Sequence, residues 1–174
     1  TDMKRNAYLL REGETALPED IRHAWDEGRR ARDIMRRNIR TGHTARDTLA
    51  VVVAALEAEG FVYTPFVNFG DIDRQIVESF DQPNVTGISI DCHVVGNTGN
   101  SQVAVGPSFA PFRELRADLM IQSNNIFSFE FITHTALPSF GNRRLRINFE
   151  DNVIVTNQGV ELLYPRNERI LLIR

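Results

Sequence analysis

The sequence changes character near Gly70, and this change limits the folds that the chain can adopt. Before it lie two segments with helical periodicity, the first beginning near Pro18 and the second covering 45–59. After it, short apolar runs are separated by Gly, Asn and Pro, which is typical of strands and turns. Two helices followed by a run of strands predict an α+β domain, in which the helices cover one face of a curved antiparallel sheet.

The first helical segment carries one apolar stripe, whose members recur at spacings of three and four residues. These members are Ile21, Ala24, Trp25, Gly28, Ala31, Met35 and Ile39. Pro18 suits the start of the helix and Gly42 its end. Arginines on this segment alternate with acidic residues, so we interpret its polar side as a solvated face and not as a nucleic-acid-binding patch.

The second helical segment has a clear start and end. Thr44 is a candidate N-cap with Asp47 three residues on, and Gly60 is a candidate C-terminal cap. The remaining apolar runs predict strands at 4–11, 61–67, 72–78, 87–94, 102–105, 126–134, 144–156, 160–163 and 169–173.

The charge balance and the cysteine count exclude several classes of protein. Lys and Arg number 20 against 23 Asp and Glu, a net charge of -3, so the chain has no general attraction for nucleic acids or anionic membranes. A single cysteine, Cys92, excludes an internal disulfide framework and favours a cytoplasmic location. The longest purely apolar run, 49–56, is far shorter than the roughly 20 residues of a membrane-spanning helix. We therefore expect neither a nucleic-acid partner nor a membrane partner.

Three residues of the strand-rich part could bind a metal ion. His93 ends an apolar strand, and strand alternation places it on the same face as Asp91. Glu130 lies in the Phe-rich run 127–132, and Glu150 lies on a later strand. One imidazole and two carboxylates suit Mn²⁺, Co²⁺ or Zn²⁺.

A structural interpretation of Glu130 stands beside the metal hypothesis. Burying an unpaired polar group costs about 2–7 kcal/mol, and burying an ionised carboxylate among aromatic residues costs more unless the carboxylate is paired or bound to metal. A salt bridge to Arg144 or Arg146 would satisfy Glu130 equally well. From spacing alone, both interpretations stay open.

Taken in order, five short segments resemble the C-terminal part of the pita-bread metallopeptidases, the superfamily of Xaa-Pro aminopeptidases, prolidases, methionine aminopeptidases and creatinases. The segments are 93–96 (HVVG), 106–107 (GP), 127–130 (FSFE), 146–151 (RINFED) and 155–161 (VTNQGVE). The opening 1–10 and the helical stretch 18–60 also fit. The resemblance implies that 1–174 is a single catalytic-type pita-bread domain lacking its N-terminal part, an expectation that the start at Thr1 without an initiator Met supports.

The resemblance also implies a metal site. The family holds two divalent ions with two aspartates, one histidine and two glutamates, and carried over residue by residue the ligands here are Asp2, His93, Glu130 and Glu150. The family's first aspartate would precede Thr1. Two ions, Mn, Co or Zn, are therefore the expected cofactors, and Arg146 is expected to orient one of the glutamates.

One position departs from the family pattern. The family's second histidine stands seven residues after the first, where this chain has Asn100. An amide can donate a hydrogen bond but cannot carry positive charge or shuttle a proton. We expect Asn100 to contact the substrate. His134, on the same strand face as Glu130, is a candidate to compensate catalytically, the alternative being an edge histidine with no such role.

These observations predict a two-metal peptidase of the Xaa-Pro aminopeptidase or dipeptidase type that hydrolyses short peptides. The alternative is a catalytically inactive pita-bread binding module, which Asn100 favours. A creatinase-like hydrolase is disfavoured, because it relies on the histidine that Asn100 replaces. Expected partners are a short peptide substrate and either a second copy of the chain or the missing N-terminal part on another segment.

Overall fold

The computed structural model describes residues 3–65, 84–95 and 106–174. Helix α1 spans Glu19–Asn38 and helix α2 spans Ala45–Ala58, as the sequence predicts, and a short helix α3 covers Glu114–Ala117. The Thr44 hydroxyl caps α2 by accepting a hydrogen bond from the Asp47 backbone N–H at 3.0 Å. Within these ranges no helix combines the length and the apolar character that a bilayer crossing requires.

The strands form one large sheet and one small one. They are β1 Ala7–Leu9, β2 Val62–Tyr63, β3 Gly87–Ile90, β4 Cys92–Val94, β5 Ser108–Phe109, β6 Ile126–Leu137, β7 Arg143–Thr156, β8 Gly159–Leu162 and β9 Leu171–Ile173. In the large sheet β6 is central, with β7 along one edge and β3 and β4 along the other. β2 continues the sheet beyond β3, β5 beyond β4, and β8 beyond β7.

The sheet is mostly but not wholly antiparallel. β2 runs parallel to β3, and β1 and β9 form a separate parallel pair. The predicted strand 87–94 is divided into β3 and β4, which pair with β6 in one continuous register from Gly87 opposite His134 to His93 opposite Ser128. Predicted strands 72–78 and 102–105 lie outside the described residues, and β5 and α3 were not predicted.

The core lies between α1 and the inner face of β6 and β7. Phe149 of β7 stacks on Trp25 of α1 at 4.7 Å between ring centroids and on Phe131 of β6 at 5.0 Å. Gly28 allows this close approach, since a Cβ atom there would collide with the Phe149 ring. Burial of these rings against α1 joins helix and sheet in the core.

The phenylalanines around Glu130 point away from it. Because side chains alternate along a strand, Phe129 and Phe131 face the core while Glu130 faces the opposite side of the sheet. The expectation that Glu130 is buried among aromatic rings is therefore wrong, although its burial is real: the residue is only 9% exposed.

Candidate metal centre

The register of β6 and β7 brings two carboxylates together. Glu130 stands directly opposite Glu150, and directly opposed residues of an antiparallel pair project from the same face. On the other edge of β6, His93 stands opposite Ser128, two residues before Glu130. One ligand atom from each of His93, Glu130 and Glu150 lies within 4.8 Å of the others, and we call these three residues the candidate metal centre.

The imidazole of His93 is oriented for a ligand. Its Nδ1 lies 3.3 Å from the carbonyl oxygen of Val94, so a hydrogen on Nδ1 can be donated to that oxygen. The lone pair of Nε2 then faces the Oε2 atom of Glu130, 4.0 Å away. Two donors that each lie about 2.0–2.2 Å from one ion can be separated by roughly this distance, so the donor set fits a divalent ion.

Neighbouring side chains fix both carboxylates. Ser128 Oγ donates to Glu150 Oε1 at 2.6 Å, and Asn148 Nδ2 donates to Glu130 Oε1 at 3.1 Å. Both donors lie two residues before the glutamate of their own strand, on its face. This spacing is the signal by which strand alternation could have found them in the sequence.

Lys4 also reaches the candidate metal centre, a contact that no pattern in the sequence predicts. Its backbone N–H donates to the carbonyl oxygen of Glu150 at 2.9 Å, which places the segment beside β7. Its ammonium donates to Glu130 Oε1 at 2.9 Å and to Glu150 Oε2. Burial disfavours the charged form of Lys4, but the hydrogen bonds to Glu150 and Glu130 outweigh it, so the pKa of Lys4 is raised.

The salt bridge offered as an alternative role for Glu130 therefore exists, but its cation is Lys4. Arg144 donates instead to the carbonyl oxygens of Val85 and His134, at 2.9 and 2.7 Å. Arg146 stands opposite His134, four residues from Glu150 along β7, which is roughly 13 Å at the usual rise of a strand. The predicted role of Arg146 in orienting a glutamate stays a prediction.

His134 shares a face with Glu130 but lies four residues further along β6, opposite Gly87. It is 2% exposed, and its Nε2 lies 3.4 Å from Ser89 Oγ. Burial, with the positive charges of Arg146 and Arg144 added, lowers the pKa of His134 to about 4. His134 is therefore a neutral imidazole near pH 7.

Two predicted site residues, Asp2 and Asn100, lie outside the described residues. Their proposed roles as a metal ligand and a substrate contact stay predictions.

A cavity of about 550 Å³ opens beside His93. Its lining includes Ser108 of β5 and the arginines Arg113 and Arg116 around α3. Arg113 Nε donates to Asp91 Oδ1 at 3.0 Å, which ties the start of α3 to the residue between β3 and β4. Glu114 also lines this cavity, so its wall offers both signs of charge next to the clustered ligands.

The chain is similar to known proteins in its structure. No protein-family model matches the sequence, and no curated protein matches it either. Among solved structures, the fold is similar to an Xaa-Pro dipeptidase from Bacillus anthracis, with a TM-score of 0.56 and 17% identity over 99% of this chain and 37% of that one. It is also similar to an X-Pro aminopeptidase from Thermotoga maritima, with a TM-score of 0.55 and 16% identity over 91% of this chain and 34% of that one.

A prolidase from Thermococcus sibiricus gives a TM-score of 0.51 and 12% identity, over 91% of this chain and 33% of that one. The chain spans about a third of the length of these structures. At such identities the likeness concerns the fold alone. The predicted α+β fold class and the resemblance to a C-terminal part of pita-bread enzymes are confirmed.

Proposed function

We propose that the protein is a metal-dependent peptidase of the Xaa-Pro aminopeptidase or dipeptidase type that acts on short peptides. The observation that carries this proposal is the convergence of His93, Glu130 and Glu150 within 4.8 Å, on a fold similar to that of Xaa-Pro peptidases. In this proposal 1–174 is a catalytic-type pita-bread unit. Asp2 is a further ligand, so that two ions can bind.

Each residue of the candidate metal centre has a definite task in this proposal. His93 Nε2 and the carboxylates of Glu130 and Glu150 hold the ion, while Ser128 and Asn148 keep the carboxylates in place. A divalent ion bound there would polarise a carbonyl and lower the pKa of a bound water. In this proposal the protein supplies ligands in fixed positions, because hydrogen bonds from Ser128 and Asn148 hold the two carboxylates.

The cavity beside His93 suits a short peptide. Its volume of about 550 Å³ falls within the range of roughly 300–1,000 Å³ typical of small-molecule sites. Arg116 on its wall offers a cation for the terminal carboxylate of a dipeptide. Arg113, already bonded to Asp91, instead holds the wall in position.

The test is peptide cleavage by protein whose bound metal has been measured. The full chain is loaded with Mn²⁺ or Co²⁺, its metal content is determined, and Xaa-Pro dipeptides and peptides with an N-terminal Xaa-Pro sequence are offered. Cleavage is expected to fall by at least roughly a hundredfold in Glu130→Gln, because loss of a ligand should cost no less than the roughly 10–100-fold lost when a residue that only orients a ligand is changed. Glu161→Gln, the same change on an exposed part of β8, serves as the matched control. Metal-loaded protein that cleaves none of these peptides would refute the proposal.

A second candidate, a binding module without catalysis, is favoured by one observation. The Lys4 ammonium already neutralises part of the charge of Glu130 and Glu150, so the two carboxylates are compatible with each other without a metal ion. This candidate predicts peptide binding that is unchanged by a chelator, whereas the peptidase predicts cleavage that a chelator abolishes.

A further inference from the structure

Lys4 and a divalent ion need the same carboxylate oxygens. The ammonium binds Glu130 Oε1 and Glu150 Oε2, one oxygen from each glutamate. The remaining oxygen of Glu150, Oε1, accepts from Ser128, and the remaining oxygen of Glu130, Oε2, lies 4.0 Å from His93 Nε2. The Lys4 ammonium therefore occupies one oxygen of each glutamate, where an ion shared by all three residues of the candidate metal centre would bind, whereas the Ser128 hydroxyl leaves a lone pair of Glu150 Oε1 free.

Charge strengthens this competition. Two carboxylates and one ammonium carry a formal charge of -1, and adding a divalent ion while the ammonium stays in place brings two cations within a few ångströms. Like charges at that separation repel, most strongly where burial reduces solvent screening, and the Glu150 side chain is only 6% exposed. A divalent ion in place of the ammonium would instead balance the formal charge of the two carboxylates.

The Lys4 ammonium can leave the two carboxylates without disturbing the sheet. Its side chain is 43% exposed, so the ammonium can exchange the carboxylates for water. Its backbone stays attached through the hydrogen bond from the Lys4 N–H to the Glu150 carbonyl oxygen. Departure of the ammonium therefore requires rotation of side-chain bonds only, since the strand beside it keeps its register.

We propose that Lys4 is a built-in competitor for the candidate metal centre: its ammonium holds Glu130 and Glu150 together, and a divalent ion must displace it. This inference rests on the metal site of the proposed function, but not on peptidase activity. It gives the two facing glutamates a cation partner within the chain itself. It also predicts that the native sequence binds metal more weakly than its ligand set would allow.

The experiment measures Mn²⁺ affinity by isothermal titration calorimetry in the full chain. Lys4→Met removes the charge and keeps the length of the side chain, and it is expected to bind Mn²⁺ about tenfold more tightly than the native chain, equivalent to about 1.4 kcal/mol. Arg5→Met is the matched control: it removes a charge from the adjacent residue, whose guanidinium binds Asp151 at 2.8 Å, and it is expected to leave the Mn²⁺ affinity unchanged.

A second readout is the thermal unfolding midpoint with and without Mn²⁺. Added Mn²⁺ is expected to raise the midpoint of Lys4→Met more than that of the native chain, because at a given Mn²⁺ concentration a ligand stabilises the fold more when its Kd is lower. If Lys4→Met fails to fold, Lys4→Gln removes the charge and keeps a hydrogen-bond donor, and the same gain in affinity is expected. Unchanged or weaker Mn²⁺ binding by the folded lysine variant overturns the inference.

The outcomes separate this inference from the proposed function. A lysine variant that gains Mn²⁺ but cleaves no peptide supports the inference and refutes the peptidase. A native chain that cleaves Xaa-Pro peptides and binds Mn²⁺ as tightly as the variant supports the peptidase and refutes the inference.

Discussion

Acidification should destabilise the protein through His134. This imidazole is 2% exposed on β6, and Arg146 stands opposite it in the register. The Arg144 guanidinium donates to the backbone carbonyl oxygen of His134. Burial first, and then these two positive charges, lower the pKa of His134 to about 4 in the folded protein. In the unfolded chain a histidine has a pKa of about 6.5.

The direction and size of the effect follow from these two values. A pKa that is lower in the folded state means that the unfolded chain binds the proton first, so the stabilisation from neutral His134 is complete above pH 6.5. It is lost progressively as the pH falls towards 4. A difference of roughly 2.5 pKa units, at about 1.4 kcal/mol each, gives about 3 kcal/mol over that interval.

Urea denaturation at pH 7.5 and pH 4.5 measures this loss. Other acids titrate over the same range, so the native chain is compared with His134→Gln, which cannot be protonated but can still hydrogen-bond Ser89. The native chain should lose about 2–3 kcal/mol more than the variant between the two pH values. Equal losses would show that His134 is not buried beside the arginines, and the reasoning would fail.

Three further predictions test the packing and the site. Gly28→Ala adds a methyl group against the Phe149 ring, which lies between Trp25 and Phe131. The cost of overpacking, about 1–3 kcal/mol, should exceed the gain in helix propensity of about 1 kcal/mol. Urea denaturation should therefore show a less stable protein, and a more stable one would contradict the packing. Ser128→Ala removes the donor to Glu150 and should weaken Mn²⁺ binding by about tenfold in calorimetry, whereas unchanged affinity would show that this hydrogen bond does not position the ligand. Cys92 is buried, and burial raises the pKa of its thiol, so a thiol reagent should label it only in denaturant; rapid labelling of the native chain would contradict its place in the core.

The helices and the pairing of β6 with β7 were accessible from the sequence for local reasons. Thr44 and Asp47 mark the start of α2, and the observed cap uses them. β6 and β7 are joined by a tight turn in which Gly141 and Asn142 have positive φ, of 67° and 60°. A short connection fixes the register, so the sequence positions of Glu130 and Glu150 on either side of this turn largely determine that they face each other.

The place of Lys4 could not be derived in the same way. It lies 126 residues from Glu130 and 146 from Glu150 in the chain, and no local pattern encodes a contact at such separation. The apolar pattern of 4–11 also predicts an ordinary strand that includes Lys4, although only Ala7–Leu9 form β1. The contact depends on the tertiary arrangement of the segment beside β7.

The error about Glu130 had a simpler cause. The run 127–132 is apolar in composition, but alternation places Phe129 and Phe131 on the face of β6 opposite to Glu130. Applied consistently, the same rule would have pointed to Ser128 and Asn148 as the polar neighbours of the two glutamates.

The most direct test of the metal site is a crystal structure of the chain grown in millimolar MnCl₂, with diffraction data collected at the manganese absorption edge. Our account predicts an anomalous peak about 2.0–2.2 Å from His93 Nε2 and from a carboxylate oxygen of each of Glu130 and Glu150, with the Lys4 ammonium displaced. Well-ordered side chains at this position without an anomalous peak, and with Lys4 still bound to both glutamates, would contradict it.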